Sequence, residues 1–440
     1  MFMLKDKLRE LENGIMIEQK IKEISRMAKP GYIQNYDNFD PEKSPVLYSG
    51  QYWNEKEIEL ALSSFLIGNW IASGDNVLEF QRQFAKRFNV GYSHMVNSGS
   101  SANLAMLAGL KAYFKWNDGD EIIVSPVGFA TTIAPIMQTN LKPVFIDIEF
   151  ETLNFDVNLI EDAITEKTKA IFVSPVLANP PDMDRIVEIC NRKNILLIGD
   201  NCDSLGTKWG DKYINELYFS WSCSFYPAHH ISTGEGGMVS SNDSNFIETV
   251  RSISWWGRDC YCVGANNTLP CGTCGKRFSN WLDNYDGIID HKYIFRHAGY
   301  NIKPLDLQGA IGIAQLEKID EIESKRRLHK TIIEEMIVKY LGVKTAKVLP
   351  KSDPSWFGVP IICETQEQKE YIVDFIESNR IQTRPYFAGN ILLHPGFKHL
   401  DDYKKYPNAN RALSHVFFLG CPPFYNQKVF DYLEKVFSSW

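Results

Sequence analysis

His229 lies in the stretch Ser224-Phe225-Tyr226-Pro227-Ala228-His229-His230-Ile231-Ser232-Thr233-Gly234-Glu235-Gly236-Gly237. Its imidazole titrates near neutral pH and can carry a proton to or from a reacting atom. His230 is the competitor for that role; adjacent side chains rarely share a direction, so one of the two is expected to pack elsewhere. Asp200 follows the apolar run Ile195–Gly199. Ligands of parallel α/β sheets bind at the carboxyl ends of strands, and a carboxylate there can hold a protonated ring nitrogen. The turn Asn97-Ser98-Gly99-Ser100-Ser101-Ala102-Asn103 opens the helical run Leu104–Phe114. Free backbone N–H groups and a positive dipole end suit a phosphate there. Ser224 could add a hydroxyl to that phosphate, and Phe129, after another strand end, could stack on a planar ring. Each also has a bland alternative: a Ser-rich helix cap, a turn aspartate, a core aromatic.

The cysteines form a second group. There are nine, and an odd count in a large chain argues against a disulfide framework. Cys190, Cys223, Cys363 and Cys421 sit in apolar contexts and read as core. Cys202, Cys260, Cys262, Cys271 and Cys274 do not. Four thiolates can hold a [2Fe–2S] cluster, and Cys260-Tyr261-Cys262 on an irregular loop lets two sulfurs face one centre. A cluster bound partly by Cys202 would lie close to Asp200, two residues earlier in the chain. The competing arrangement is tetrahedral zinc on Cys260, Cys262, Cys271 and Cys274, which leaves Cys202 idle.

A chain of 440 residues is too long for one typical core. A net charge of −7 with no basic block argues against a nucleic-acid partner. Residues 1–29 are dense in Lys and Glu and lack the apolar run of a secretory signal. Ile122–Leu141 carries no charge and is long enough to span a bilayer, but Pro126, Gly128 and Pro135 make it a strand, a loop and a short helix. The expectation is a cytoplasmic protein without a membrane segment. Residues 4–27 show helical apolar spacing, weakened at Gly14, and predict an amphipathic arm packed on the body or on a partner subunit. Short apolar runs at Glu121–Ser125, Val144–Asp147, Ala170–Ser174 and Ile195–Gly199 alternate with helical segments such as Asp182–Lys193, which indicates a mostly parallel sheet with helical crossovers. Residues 257–290, rich in Cys, Gly and Asn, read as an irregular insertion. Pro304 opens a helical pattern running to about Tyr340, and residues 345–440 read as a smaller α+β unit. The expected division is an N-terminal helical arm at 1–48, a large domain at 49–318 containing the insertion, and a small C-terminal domain at 319–440.

Taken in order, these motifs resemble the vitamin-B6-dependent sugar aminotransferases of the DegT/DnrJ type over roughly residues 50–440. The resemblance implies an α/β, type I aminotransferase-like fold with a mostly parallel large domain and a smaller α+β domain. It implies that Ser100, Ser101 and Ser224 hold a cofactor phosphate, that Phe129 stacks on the pyridine ring, and that Asp200 binds the ring nitrogen. His229 stands where the family carries the lysine that forms a Schiff base with pyridoxal phosphate. An imidazole cannot form that imine, so the cofactor would be held without a covalent tether. The segment Gly299-Tyr300-Asn301 also matches; in the family that asparagine reaches the phosphate of a neighbouring subunit, which implies a homodimer. Arg384, Tyr386, Asn390 and His394 fall in or just after a segment that faces substrate in relatives, Arg384 and Asn390 being the candidates carried forward.

Within the family the histidine points to sugar 3-dehydratases. Cys202, Cys260 and Cys262 resemble the iron–sulfur subtype that acts on CDP-4-keto-6-deoxyglucose, and Thr273-Cys274-Gly275-Lys276-Arg277-Phe278 resembles its fourth-ligand context. Cys274 is thus the expected fourth ligand and Cys271 the alternative. The resemblance implies pyridoxamine 5′-phosphate and a [2Fe–2S] cluster as cofactors. It implies an NADH-dependent flavin/iron–sulfur reductase as partner, and loss of the C3 hydroxyl from a nucleotide-linked 4-keto-6-deoxyhexose in deoxysugar and O-antigen biosynthesis. The alternatives are a cluster-free dehydratase acting on a GDP- or TDP-linked sugar and a zinc-stabilised relative without activity. Gly199, in place of the family's usual acidic residue, and Pro180-Pro181 depart from the pattern and bear on substrate more than on reaction type.

Overall fold

The computed structural model describes residues 2–28, 36–68, 70–260, 277–279, 282 and 284–440. Its principal elements run α1 Phe2–Met27, α2 Glu55–Ile67, α3 Asp75–Arg87, β1 Tyr92–Val96, α4 Gly99–Phe114, β2 Glu121–Val124, α5 Ala130–Gln138 and β3 Lys142–Phe145. They continue through β4 Thr168–Val173, α6 Met183–Lys193, β5 Leu196–Asp200, β6 Ser220–Ser224, β7 Gly237–Ser241, α7 Ser244–Ser254, α8 Asp306–Leu316 and α9 Ile319–Leu341. The last are β8 Gly358–Ile362, α10 Gln366–Ser378, β9 Thr383–Pro385, β10 Val416–Gly420 and α11 Gln427–Phe437.

The expected strands pair in one seven-stranded sheet of order β1-β7-β6-β5-β4-β2-β3, in which β7 alone runs against its neighbours. Successive side chains of a strand point to opposite faces, and here both faces are covered. Ile122, Val124, Phe172 and Ile198 enter the core on one face, with Leu107 and Ile133. Ile123, Ile171, Val173 and Leu197 enter the core on the other, with Phe80, Phe84 and Ile186. Helix α6 shows how sequence makes such an element: Asp182 caps its first turn, Met183, Ile186, Ile189 and Cys190 form its buried stripe, and Asn194 ends it in the left-handed region.

A three-stranded antiparallel sheet, β8-β10-β9, carries the C-terminal unit. Its core joins Val359, Ile361 and Leu419 to Ile372 and Val429 of the helices, and also takes in Tyr36, Phe39 and Val46. The chain just after the arm therefore packs with the C-terminal unit. The arm is helical as expected, yet among its described side chains only Ile21 and Ser25 are buried, while Ile15 and Ile24 face outward. The helical pattern opened by Pro304 divides into α8 and α9, because Lys318 leaves helical angles (φ −107°, ψ 3°) and turns its ammonium to the buried Glu57 at 2.5 Å. Ile122–Leu141 forms β2, a loop and α5, with Pro135 inside α5. Among the described residues no helix is long and apolar enough to cross a membrane. Cys190, Cys223, Cys363 and Cys421 are buried, as their contexts implied.

His94 on β1 is buried and shares a 2.7 Å hydrogen bond with the Ser254 hydroxyl. Burial, reinforced by the Arg251 charge, pushes its imidazole from 6.5 down to about 3. The folded chain keeps His94 neutral while the unfolded chain protonates it, so this contribution to stability is complete above pH 6.5 and is lost as pH falls toward 3. Replacing His94 with Gln should remove that dependence. The stability gap between wild type and His94→Gln, from urea unfolding at pH 7.5 and at 5.5, should shift by about 1.4 kcal/mol in favour of the variant at the lower pH; an unchanged gap would contradict the assignment.

Candidate active site

The carboxyl ends of β1, β2, β4, β5 and β6 lie along one edge of the sheet, and the segments leaving them build one cavity of about 180 Å³. That volume holds a ring-sized organic group, well beyond a single water. The N-terminus of α4 forms one side. Ser98 caps it by accepting from the Ser101 N–H, and Gly99 lets it lie against the end of β6. A Cβ on Gly99 would come within 2.4 Å of the Ser224 Cβ. Ser100 and the buried Ser224 both face the cavity; the Ser100 hydroxyl donates to Thr131 at 3.0 Å, and the Ser224 hydroxyl accepts from the Tyr226 N–H at 3.3 Å. Ser101 lines the adjoining mouth.

Asp200 ends β5, only 4% exposed. One carboxylate oxygen accepts from the Asn103 amide at 2.8 Å and the Thr132 hydroxyl at 2.7 Å; the other accepts from the Cys202 N–H at 3.1 Å. Asn103 is fixed in turn by the Ser222 hydroxyl, which donates to its carbonyl oxygen. A buried carboxylate needs such donors, and these three set its direction into the cavity.

His229 and His230 part as expected. His230 is buried with its ring nitrogen Nε2 on the Ser355 carbonyl at 2.5 Å, so that nitrogen carries the proton. His229 lines the cavity, its ring 5.2 Å from that of Phe357. Burial pushes the His229 imidazole down to about 4, against the opposing pull of the Asp200 charge and with further help from Arg326. At neutral pH it is a neutral base. Its Nδ1 lies 3.5 Å from an Asp203 oxygen, too long for an aligned hydrogen bond. Burial, then the neighbouring Asp200 charge, pushes Asp203 up to about 8. The contact therefore joins two neutral groups and is not an ion pair.

Phe129 stands at the mouth, 59% exposed, its ring 6.5 Å from Phe387 and nearly perpendicular to it. Tyr48, Phe129, Phe357 and Phe387 are shared with an outer chamber that Arg384 and His394 also line. The Arg384 guanidinium lies 4.0 Å above the Tyr48 ring and donates to its neighbour's carbonyl, Thr383, at 2.7 Å. Asn390 and Tyr386 do not face this space. Asn390 is fully buried: its oxygen accepts from the Leu392 N–H, and its amide donates to Tyr403 and Asn410. This corrects the substrate-facing expectation for Asn390, whose side chain is spent on capping a turn. Tyr386 is buried against the Leu153 carbonyl. Asn301 is exposed, accepts from the Lys303 ammonium, and does not line its own chain's cavity. Cys202 lines the cavity beside Asp200, and Cys260 is buried. Cys262, Cys271 and Cys274 lie outside the described residues.

Sequence reasoning missed Asn103 and Thr132, which orient Asp200, together with Asp203 and Phe357 beside His229. It also missed Arg326, buried in α9, which donates to the His229 carbonyl at 3.3 Å. The position of Thr132, three residues past the expected ring-stacking Phe129, was a usable clue; a charge inside a polar helical run reads as solvated.

The description of the DegT/DnrJ/EryC1/StrS aminotransferase family matches residues 53–436. A dTDP-4-dehydro-2,6-dideoxy-D-glucose 3-dehydratase of Saccharopolyspora spinosa is 36% identical over 91% of this chain and 88% of its own length. The lipopolysaccharide biosynthesis protein RfbH of Salmonella typhimurium is 35% identical over 90% of this chain and 92% of its own. A GDP-4-keto-6-deoxy-D-mannose 3-dehydratase of Yersinia pseudotuberculosis is 33% identical over 84% and 92%. Among solved structures, the Escherichia coli GDP-4-keto-6-deoxy-D-mannose-3-dehydratase with bound hydrated PLP superposes with a TM-score of 0.78 at 28% identity, covering 90% of this chain and all of that one. The chain has the type I aminotransferase-like fold and belongs to the DegT/DnrJ/EryC1/StrS aminotransferase family.

Proposed function

We propose that this chain is a pyridoxamine-phosphate-dependent 3-dehydratase of a nucleotide-linked 4-keto-6-deoxyhexose. The observation that carries this reading is His229: among the described residues a neutral imidazole, and no lysine, faces the cavity beside the oriented Asp200 carboxylate. The residues present fit the cofactor. Gly99 lets the start of α4 close on Ser224 so that Ser100 and Ser224 face one cavity, and the buried His229 Nδ1 has no hydrogen-bond partner.

In this reading Ser100, Ser101, Ser224 and the amides of α4 hold the phosphate, Phe129 covers one face of the ring, and Asp200 holds the proton on the ring nitrogen. Pyridoxamine phosphate supplies an amine for the substrate's ketone and a ring that accepts electrons. His229 would act as the base that takes up and returns a proton beside that amine, and with no lysine at 229 the cofactor would be held without a covalent tether. The low polarity of the aromatic walls keeps water from the exchange. Asn301 serves the site of a second copy, making a homodimer. The outward-facing Phe65, Leu66, Ile71 and Leu305, each more than 45% exposed, support a covered face. Arg384, at the outer chamber, meets the nucleotide end of the substrate.

The finer reading adds a [2Fe–2S] cluster on Cys202, Cys260, Cys262 and Cys274, with Cys271 as the alternative to Cys274. The place of Cys202 on the cavity wall supports it. The cluster would supply one-electron transfer from an NADH-dependent flavin/iron–sulfur reductase. CDP-4-keto-6-deoxyglucose is the substrate proposed; two of the relatives are named for dTDP- and GDP-linked sugars, so all three nucleotides belong in the assay.

Replacing His229 with Asn should leave pyridoxamine phosphate affinity unchanged and lower dehydration by about 10²–10⁴-fold, as loss of a general base does; full turnover would remove His229 from this role. Gly99→Ala should weaken cofactor binding by about tenfold or more at a stability cost of about 1–3 kcal/mol, read by cofactor fluorescence titration and urea unfolding; unaltered affinity would displace the phosphate from α4. Anaerobic purification should give about two iron and two sulfide per chain, lost in Cys202→Ser. Zinc without iron would exclude the cluster, and neither metal would leave the cluster-free dehydratase.

A further inference from the structure

Arg326 lies on α9 with 1% of its surface exposed. Its guanidinium donates to the carbonyls of Ala228 and His229, each at 3.3 Å, and to those of Trp356 and Phe357 at 3.3 and 3.1 Å. The acidic groups that face it are the Cys421 thiol, which also hydrogen-bonds it, and the Asp203 carboxyl, while four peptide carbonyls take its N–H groups. Burying a cation costs several kcal/mol, so a guanidinium set against carbonyls needs a structural reason. The reason lies in what those carbonyls belong to. Residues 228–229 leave the end of β6 in a turn with no ladder, and residues 356–357 approach β8 from outside it. Their carbonyls are buried polar groups that secondary structure does not pair. Only a planar fork with five donors can bridge two such segments at once. The side chains of those same segments, His229 and Phe357, face one another across the cavity wall with ring centroids 5.2 Å apart.

We infer that Arg326 is the positioning residue of the site: by holding the backbone of His229 against that of Phe357 it sets the direction from which residue 229 addresses the cavity. This rests on the role given to position 229 above. The far end of the same loop is held separately. The Ser232 carbonyl accepts from the Trp53 indole at 3.0 Å and its N–H donates to Gln315 at 3.1 Å. Loss of Arg326 should therefore release residues 228–229 and 356–357 without unfolding the loop.

Two measurements test this, and they fail independently of each other. Hydrogen–deuterium exchange of the full chain should show faster amide exchange in residues 226–231 and 355–358 in Arg326→Gln and in Arg326→Lys, with the strands β4 and β5 unchanged. The second uses His229→Lys, in which a lysine at 229 should link to added pyridoxal phosphate and be trapped by borohydride. Trapping should slow by about 10²-fold, the scale of an ångström's misplacement, when either Arg326 substitution is added. Unchanged exchange, or equal trapping rates with and without Arg326, would overturn the inference. So would loss of the far-ultraviolet dichroism of both Arg326 variants, since Arg326 would then be a core residue and not a positioning one. Absence of any link in His229→Lys alone would count against the placement of residue 229, and the exchange measurement would still decide Arg326.

Discussion

The buried carboxylate of Asp200 organises the site, because an ionisable group that deep must find donors and its donors lie on three separate segments. Asn103 comes from α4, Thr132 from α5, and the Cys202 N–H from the chain leaving β5. Each hydrogen bond to a carboxylate is worth about 1.5–3 kcal/mol, and leaving one unmade strands a buried acceptor. Satisfying Asp200 therefore draws the first turns of α4 and α5 toward the end of β5. Those turns carry Ser100, Ser101 and, at the cap of α5, Phe129. The groups assigned to phosphate and to ring face are placed by the same bonds that hold the carboxylate. The Ser222 hydroxyl on Asn103 extends the network to β6, whose end supplies Ser224 and leads to His229.

Opposed fields act on that histidine. Asp200 favours an imidazolium, Arg326 and burial favour the neutral ring, and burial is the largest of the three. The same burial keeps Asp203 protonated well above the usual carboxylate range. The result is a cavity wall on which a base and an acid lie 3.5 Å apart, both uncharged. Uncharged groups are dried by aromatic walls at less cost than charged ones, whereas an ion pair there would repay its desolvation only with further hydrogen bonds. The aromatic lining of Phe129, Phe357 and Phe387 and the polar reacting groups are compatible for that reason.

Much of this was legible in the sequence. Strands buried on both faces leave near-continuous apolar runs, and the runs at Glu121–Ser125 and Ile195–Gly199 match β2 and β5 to within one residue at each end. The positions of Asp200, Ser100 and His229 were readable because strand ends and Gly/Ser turns are local in sequence. What was not legible is tertiary. Asp203 and Arg326 are ionisable residues in polar stretches of the sequence, and only the fold shows them buried. The break between α8 and α9 falls at Lys318, whose ion-pair partner Glu57 is more than 250 residues away in the chain. Asn390 was misread because a polar loop near the substrate segment looks functional; an asparagine ahead of Ile391–Leu393 is equally a cap, and that is what it does.

The field around position 229 bears on why a histidine can stand where the resemblance to the family implies a lysine. Burial and the Arg326 charge both disfavour a cation there, and they would act on an ammonium as they act on an imidazolium. A lysine in this place would be driven toward its neutral, nucleophilic form, which is what an imine-forming amine needs. A histidine in the same place is driven toward its neutral, proton-accepting form. In the proposed reading, the backbone, the aromatic wall and the buried guanidinium would suit either chemistry, and the side chain at 229 would choose between them: an amine that can bond to carbon, or an imidazole that can only take and return a proton.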